Sequence, residues 1–179
     1  MRLEAGQQAP GFSVIDLEER AVSLEGLLGR PVLLSFFRYG SCPLCNLRIA
    51  FLIGAYPRLH EMGLEIVAVF ESPADTLRQT VGKQPTPFSV VPDPDRTLYK
   101  RYGVTASLLG YVRGGFRISA FREARKKGFR FGKIDGAATQ LPAEFLIGED
   151  GVIELAYYGA DIGDHLPIDE IADWLSEET

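Results

Sequence analysis

Cys42 and Cys45 are the two residues of this 179-residue chain whose type and spacing most directly permit chemistry. They are the only cysteines in the sequence, and Pro43 and Leu44 separate them. A cysteine thiolate attacks a disulfide or a peroxide, and a second thiol one helical turn away can capture the oxidised sulfur as an intramolecular disulfide. The spacing therefore predicts redox chemistry without a cofactor, with Cys42 as the attacking thiolate and Cys45 as the resolving thiol.

A buried strand that runs directly into a helix is predicted to position these cysteines. Residues 32–37 form a short apolar run after Pro31, as expected of a strand buried on both faces. Apolar residues then recur at helical spacing over 43–62, and Pro43 suits the first helical position. Cys42 is thereby predicted to be the N-cap, where backbone N–H groups and the helix dipole can lower a cysteine pKa from about 8.5 to roughly 3.5–7.5.

Other interpretations of the cysteine pair stay open at this point. Cys42 could be a small buried apolar side chain, and Cys45 could be half of an inert structural bridge. A zinc site would need two further ligands, and the two histidines, His60 and His165, lie far apart in the sequence. We therefore predict neither a bound metal nor a cofactor.

Length and composition are those of an ordinary globular protein, and we predict a single domain over residues 1–179. The first residues lack an apolar signal region, and no apolar stretch in the sequence approaches the length of a membrane span. We therefore expect a cytoplasmic protein with no membrane partner. In a reducing compartment, a lone cysteine pair is more often catalytic or metal-binding than a permanent disulfide.

The formal net charge of −5 conceals an uneven distribution. Eight basic residues and one acid, Glu123, lie between Arg113 and Lys133, whereas the rest of the chain has eleven basic and twenty-three acidic residues. Such a stretch could contact nucleic acid, an anionic substrate or an acidic protein, but the simplest interpretation is a solvated helical insertion. Because no nucleic-acid-binding motif accompanies it, we predict no nucleic-acid partner.

The order of the predicted elements indicates an α/β fold. The predicted strands are 12–14, 20–22, 32–37, 64–70, 88–91, 145–147 and 152–157. The predicted helices are 24–28, 43–62, 73–81, 93–102 and 168–176. Ser72 is predicted to cap the helix 73–81. The stretch 105–131 is expected to be helical but interrupted at Gly110, Gly114 and Gly115. Right-handed crossovers would make the first long strands parallel and the last two an antiparallel hairpin, with Cys42 at the carboxyl end of a central strand.

Four segments in a fixed order carry a resemblance to a known family. They are Ala9 to Ser13 followed by Val22 to Leu24, Phe36 to Cys45, Val91 to Arg96 with Tyr102 to Val104, and Gln140 to Ile147 followed by Asp150 and Gly151. In these segments the chain resembles the thioredoxin-like superfamily, and within it the peroxiredoxin-like proteins of the alkyl hydroperoxide reductase and thiol-specific antioxidant (AhpC/TSA) family. The resemblance implies a thioredoxin-like fold, a central mixed sheet flanked by helices, with an N-terminal strand extension and a basic helical insertion.

The active-site segment departs from the family pattern. Typical peroxiredoxins carry Pro-x-x-x-Thr-x-x-Cys, and the Pro and Thr positions are Ser35 and Tyr39 here. Typical peroxiredoxins also have an arginine just before the strand that corresponds to 145–147. This chain has Pro142 at that position, and the proline resembles the cis-proline of thioredoxin. We therefore expect a cis peptide bond between Leu141 and Pro142. This proline favours dithiol–disulfide exchange.

Residues around the cysteines have expected roles of their own. Arg38, four residues before Cys42, could support the thiolate or polarise a peroxide oxygen, or it could be a surface or ion-paired arginine. Pro142 would close the pocket and exclude a metal. Tyr39 is either a pocket wall or a core residue, and Arg48 is expected on a solvated face of the helix.

Three hypotheses for function follow. The first is a thiol-dependent antioxidant oxidoreductase that reduces a small-molecule hydroperoxide and is regenerated by a dithiol partner such as thioredoxin. The second is a thioredoxin-like reductase of protein disulfides. The third is a non-catalytic binding protein whose basic insertion docks an acidic partner. The sequence leaves the substrate and the electron donor open, and a homodimer is compatible with each hypothesis.

Overall fold

A five-stranded mixed sheet lies at the centre of the computed structural model, which describes residues 2–177. The strands are β1 (Ser13–Ile15), β2 (Ala21–Ser23), β3 (Val32–Phe36), β4 (Glu65–Phe70), β5 (Ser89–Pro92), β6 (Ala143–Ile147) and β7 (Ile153–Tyr158). The sheet order is β5-β4-β3-β6-β7; β3, β4 and β5 are parallel, and β6 is antiparallel to both β3 and β7. β1 and β2 form a separate antiparallel ribbon, so the predicted mixed sheet, hairpin and N-terminal extension are confirmed.

Helices flank both faces of this sheet. They are α1 (Leu24–Leu27), α2 (Pro43–Glu61), α3 (Ala74–Gln79), α4 (Thr97–Arg101), α5 (Leu108–Gly114), α6 (Ile118–Lys126) and α7 (Ile168–Glu177), with a 3₁₀ turn at Val81–Lys83. α2 begins at Pro43, as predicted, and Gly63, with a φ of +91°, allows the chain to turn from its end into β4. Within residues 2–177 no helix is long and apolar enough to cross a membrane.

Apolar side chains alternate between two cores, one on each face of the sheet. In β3, Leu33 belongs to the core that contains Leu52 of α2 and Ile171 of α7, and Leu34 belongs to the opposite core with Leu98 of α4. This alternation is the period-two pattern of a strand, and both faces of β3 are completely buried. The end of β3 and the start of α2 are thereby fixed in position.

Two helices begin differently from the prediction. α3 has Pro73 as its N-cap, and the predicted capping by Ser72 was wrong, because the Ser72 hydroxyl accepts the Gly40 N–H at 2.8 Å instead. α4 begins only at residue 97, rather than at Asp93. The Asp93 carboxylate still caps it, because it accepts the Thr97 N–H at 2.9 Å from four residues upstream.

The basic insertion consists of two helices, α5 and α6, separated at residues 115–117. Gly110 and Gly114 do not interrupt α5 but lie within it. A Cβ atom on Gly110 would lie 2.7 Å from Leu141 Cδ2, and one on Gly114 would lie 2.2 Å from Ile162 Cγ1. Both glycines therefore allow α5 to approach the rest of the protein closely, which is why the helix tolerates them.

Candidate active site

Cys42 lies at the junction of β3 and α2, where it is the N-cap of the helix, as predicted. Its backbone is extended (φ −69°, ψ 120°), and its sulfur accepts the Cys45 N–H at 3.4 Å. The Arg38 guanidinium donates a second hydrogen bond to the sulfur, also at 3.4 Å. Pro43 permits this geometry, because the first helical position needs no N–H donor. The sulfur therefore receives donors from both the helix and the strand end.

Opposing effects set the pKa of Cys42. Burial raises the pKa, whereas the hydrogen bond from the Cys45 side chain, the charge of Arg38 and the backbone N–H groups of Cys45 and Leu44 lower it. The favourable contacts outweigh burial and lower the pKa of Cys42 from 9.0 to about 7. A substantial fraction of this sulfur is therefore ionised at neutral pH.

Cys45 has the opposite tendency. Burial raises the pKa of Cys45 well above 9.0, and its hydrogen bond to Cys42 raises it further, because that bond requires the Cys45 proton. Both cysteines are free thiols in this structure. The two sulfurs thus differ in protonation, since Cys42 forms a thiolate and Cys45 stays a protonated donor. This difference suits attack by Cys42 and later resolution by Cys45.

Arg38 is buried beside the sulfur, with only 2% of its surface exposed. One guanidinium nitrogen donates to Cys42, and another donates to the Ala138 carbonyl. The guanidinium carbon lies 5.0 Å from the Tyr39 ring centroid and 5.7 Å from that of Tyr111, within the range of cation–π attraction. The structure therefore places Arg38 at the thiolate and not on the surface.

Pro142 is buried immediately before β6, at the end of the sheet where Cys42 lies. All peptide bonds in residues 2–177 are trans, so the expected cis bond between Leu141 and Pro142 was wrong. The next residue, Ala143, already pairs with Phe36 of β3. The proline thus continues an extended chain into the strand, and the trans form, favoured by about 0.5–1 kcal/mol for X–Pro bonds, fits there.

Two cavities open beside the cysteine segment. One, of about 350 Å³, is lined in part by Arg38 and Tyr39, and the other, of about 250 Å³, has Pro43 in its wall. Phe121 and Phe131 belong to the walls of both cavities, and their ring centroids are 5.6 Å apart. Of the two interpretations of Tyr39, the structure supports the pocket wall, although the side chain is also almost fully buried.

Residues 131–138, which we call the covering segment, close over the cysteines. The Ser41 hydroxyl donates to the Lys133 carbonyl at 2.6 Å, and the Ala138 carbonyl is held by the buried guanidinium. Cys42 itself has no exposed surface. An external molecule can therefore reach its sulfur only after a local movement of the protein, as in enzymes whose loops open for substrate.

Two carboxylates that sequence reasoning missed join the covering segment to the sheet. Glu71 accepts the Ala137 N–H at 2.7 Å and lies 3.1 Å from the Arg96 guanidinium, and Asp135 accepts the Ser72 hydroxyl. Burial raises the pKa of Glu71, in spite of the opposing hydrogen bond from Ala137 and charge of Arg96. The sequence could have indicated Glu71 as a site residue, because it directly follows the strand β4. The carboxyl end of β4 lies beside that of β3, where Cys42 is found.

A second buried network surrounds Glu144 of β6. This carboxylate accepts hydrogen bonds from the Ser35 hydroxyl at 2.8 Å, from Arg48 at 3.1 Å and from the Leu166 N–H at 2.6 Å, and it lies 3.3 Å from His165 Nδ1. Burial raises the pKa of Glu144, but Arg48 and the other partners outweigh it and lower the pKa to about 2. The predicted exposure of Arg48 was wrong, because a buried acid on a distant strand requires this cation.

Comparison with known proteins identifies the family. The model of the AhpC/TSA family matches residues 5–156. The chain belongs to the AhpC/TSA family. It is 28% identical over 113 residues to chloroplastic peroxiredoxin Q of Oryza sativa subsp. japonica, covering 63% of this chain and 52% of that protein. It is 31% identical over 105 residues to the thiol-disulfide oxidoreductase ResA of Bacillus cereus, covering 58% of this chain and 60% of that protein.

The fold of this AhpC/TSA protein also matches solved structures. The PrxQ protein of Xylella fastidiosa superposes with a TM-score of 0.70 at 13% identity, covering 99% of this chain and 96% of that one. This match confirms the predicted thioredoxin-like fold. The chain spans about half to three-fifths of the length of the two curated relatives named above.

Proposed function

We propose that this AhpC/TSA protein is a thiol-dependent peroxidase that reduces hydroperoxides through Cys42 and Cys45. The observation that carries the proposal is the unequal sulfur pair, in which Cys42, with its lowered pKa, accepts hydrogen bonds from a protonated Cys45 and from the buried Arg38. Such a thiolate needs no general base. The likeness to peroxiredoxin Q supports the same assignment.

Each residue of the pair has one step in the proposed cycle. The Cys42 thiolate attacks one peroxide oxygen, the O–O bond breaks, and the leaving oxygen departs as an alcohol or water after taking up a proton. Cys42 is then a sulfenic acid. The Cys45 sulfur attacks it, water leaves, and a Cys42–Cys45 disulfide remains. A cellular dithiol, such as that of thioredoxin, returns both sulfurs to the reduced state.

Arg38 and Pro142 support these steps in the proposal. Arg38 would polarise the leaving peroxide oxygen as well as stabilise the thiolate, because a guanidinium can donate to both at once. Pro142 would close the pocket at the strand end and exclude a metal from the sulfurs. The covering segment must open to admit the peroxide, and the cavities beside Arg38 and Pro43 are the space next to the reacting sulfur.

Reaction of the reduced protein with stoichiometric hydrogen peroxide tests the proposal. We expect intact-mass analysis to show an intramolecular disulfide in the native chain, a dimedone-reactive sulfenic acid in Cys45→Ser, and no oxidation in Cys42→Ser. Stopped-flow measurement gives the rate. Oxidation of Cys42 no faster than that of free cysteine would remove the peroxidase assignment.

A second candidate is a reductase of protein disulfides, favoured by the likeness to ResA and by the buried Pro142 next to the strand that pairs with β3. The two candidates share Cys42 and Cys45 and differ in substrate. Turnover of insulin disulfides with slow peroxide reduction would favour the reductase, and the reverse would favour the peroxidase.

The cellular setting belongs to the proposal as well. A reducing compartment such as the cytoplasm would keep the cysteine pair reduced between turnovers. A single domain over residues 1–179 and a homodimer stay predictions, which limited proteolysis and sedimentation equilibrium can check.

A further inference from the structure

Exposed apolar side chains are concentrated in one part of the molecule. Of the eleven large apolar residues exposed among the described residues, eight lie within 108–134, and Phe116, Leu108 and Leu109 are exposed to 78%, 71% and 68%. We call the exposed side chains of residues 108–134 the insertion surface. Apolar patches of this kind on a soluble protein mark interaction sites.

The packing of α5 explains why its own large side chains face outward. The helix contacts the rest of the protein through Gly110 and Gly114, which lie against Leu141 and Ile162. Because the packed side consists of glycines, the large side chains of the helix have no place on it. The fold therefore presents them to solvent while burying almost none of them.

Basic side chains are interspersed with these apolar residues along the chain. Seven of the eight basic residues between Arg113 and Lys133 are exposed, and the eighth, Arg117, is paired with Asp161 and Asp164. Glu123 is the single acid in that interval. A surface that combines apolar side chains with positive charge is suited to a protein partner, and the charge selects an acidic one.

The insertion surface also lies beside the cysteine segment. Phe131 of this surface lines both cavities next to that segment, and the Lys133 carbonyl accepts the Ser41 hydroxyl at 2.6 Å. Tyr111 and Val112 of the surface line the cavity that contains Arg38. An occupant of this surface is therefore placed next to Cys42 and Cys45.

We propose that the insertion surface is the docking site for the protein that reduces the enzyme, a dithiol protein with acidic residues around an apolar, thiol-bearing patch. The inference rests on the proposed thiol–disulfide cycle. One thiolate of the partner attacks the Cys42 sulfur, the Cys42–Cys45 bond breaks, and Cys45 leaves and is protonated. The second partner thiol, after losing its proton, then attacks the mixed disulfide, which releases the Cys42 thiolate and the partner in its disulfide form.

Two other occupants fit less well. A second copy of this chain could supply acidic residues, but its own Cys42 is buried beneath its own insertion and cannot act as the reductant. An anionic membrane would attract the basic side chains between Arg113 and Lys133. The membrane would repel the rest of the chain, which has twenty-three acidic and eleven basic residues. A flat lipid surface would also leave the cavities beside the active site unfilled.

Reduction of the disulfide form by two reagents tests the docking site. The protein is oxidised with diamide and then reduced either by a thioredoxin of acidic net charge or by dithiothreitol, which needs no docking. In Arg122→Glu/Lys126→Glu we expect the rate with the thioredoxin to fall about tenfold, while the dithiothreitol rate is unchanged. In the native chain we expect the thioredoxin rate to fall with added salt.

Matched controls separate docking from overall charge and hydrophobicity. Arg58→Glu/Lys100→Glu makes the same change in net charge, but Arg58 lies near the far end of α2 from Cys42, and Lys100 belongs to α4, which packs on the other face of the sheet. This variant should react like the native chain. Phe116→Thr should slow the thioredoxin reaction only, whereas Ile15→Thr, an exposed apolar residue outside the insertion, should not.

Three outcomes would overturn the inference. The first is an unchanged thioredoxin rate in Arg122→Glu/Lys126→Glu. The second is binding of the native chain, but not of that variant, to phosphatidylglycerol vesicles together with a salt-independent thioredoxin rate. The third is a dimer that this variant dissociates without affecting the thioredoxin rate. Failure of the peroxidase proposal would be seen separately, because diamide forms the disulfide without any peroxide reaction.

Discussion

At the scale of single residues, the chemistry depends on how a buried sulfur can be ionised at all. Burial disfavours the Cys42 thiolate, and the helix N-terminus supplies N–H donors that the sequence predicted. The charge that completes the site comes from Arg38, which is itself buried and whose charge the sulfur and the Ala138 carbonyl compensate as acceptors. The thiolate and the guanidinium therefore stabilise each other.

Arg38→Met tests this mutual dependence. Removing the guanidinium charge should raise the pKa of Cys42 from about 7 toward 9.0, so the pH midpoint of its alkylation by iodoacetamide should move upward and the rate at neutral pH should fall severalfold. The midpoint is the decisive reading, because it does not depend on how often the covering segment opens. Arg78→Met, which removes an exposed guanidinium on α3, should leave the midpoint in place; an unchanged midpoint in Arg38→Met would exclude the proposed charge effect.

The residues that sequence reasoning predicted correctly are those with local causes. Cys42 is an N-cap because of the strand before it and Pro43 after it, and both are visible within a few positions. For Arg38 the sequence offers both the thiolate and the surface, because the second contact that holds it inside, to Ala138, is one hundred residues away. Arg48 was placed wrongly for the same reason, since Glu144 lies on a different element.

At the scale of elements, the strands, the long helix and the interrupted helical insertion followed from the sequence pattern, and the interruption includes Gly115, as predicted. The predicted interruptions at Gly110 and Gly114 were wrong, because these glycines serve close packing inside α5. The trans isomer of the peptide bond before Pro142 was also not predictable, because the position of a proline alone does not specify the path of the chain into β6. Packing between distant segments determines both features.

Gly132→Ala tests whether the covering segment limits access to Cys42. A Cβ atom on residue 132 would lie 2.9 Å from Ser41 Cβ, closer than such contacts normally are, so the segment should be displaced from the active-site loop. We expect Cys42 to react with iodoacetamide several times faster, with an unchanged pH midpoint. Gly11→Ala is the control, because its Cβ would meet nothing within 4 Å. Equal rates in the two variants would mean that another segment restricts access.

At the scale of the whole molecule, Glu144 connects parts of the chain that are distant in sequence. From β6 it binds Ser35 of β3, Arg48 of α2 and the backbone of Leu166 just before α7, next to His165. These elements form one face of the sheet and its covering helices. Breaking a buried ion pair by removing one partner is strongly destabilising, because the other charge stays buried without compensation. The carboxylate should therefore act on global stability and only indirectly on the sulfurs.

Acid unfolding should reveal this role. The pKa of Glu144 is about 2 in the folded protein and near 4.5 when the chain is unfolded, so the folded state binds fewer protons between these values. Its contribution to stability is therefore fully present above about pH 4.5 and is lost as the pH falls toward about 2, on the order of 3 kcal/mol in total. Chemical denaturation of the native chain at a series of pH values would show this loss in the free energy of unfolding.

Glu144→Gln should remove that acid dependence and lower the free energy of unfolding at neutral pH by about 3–5 kcal/mol, because Arg48 would then be buried without an anion. Arg48→Met/Glu144→Gln removes both charges and should recover part of the loss, since an apolar pair can replace a buried ion pair. Glu149→Gln, at an exposed turn, should behave like the native chain at every pH. If Glu144→Gln kept the native acid profile, the acid-sensitive group would have to be sought elsewhere.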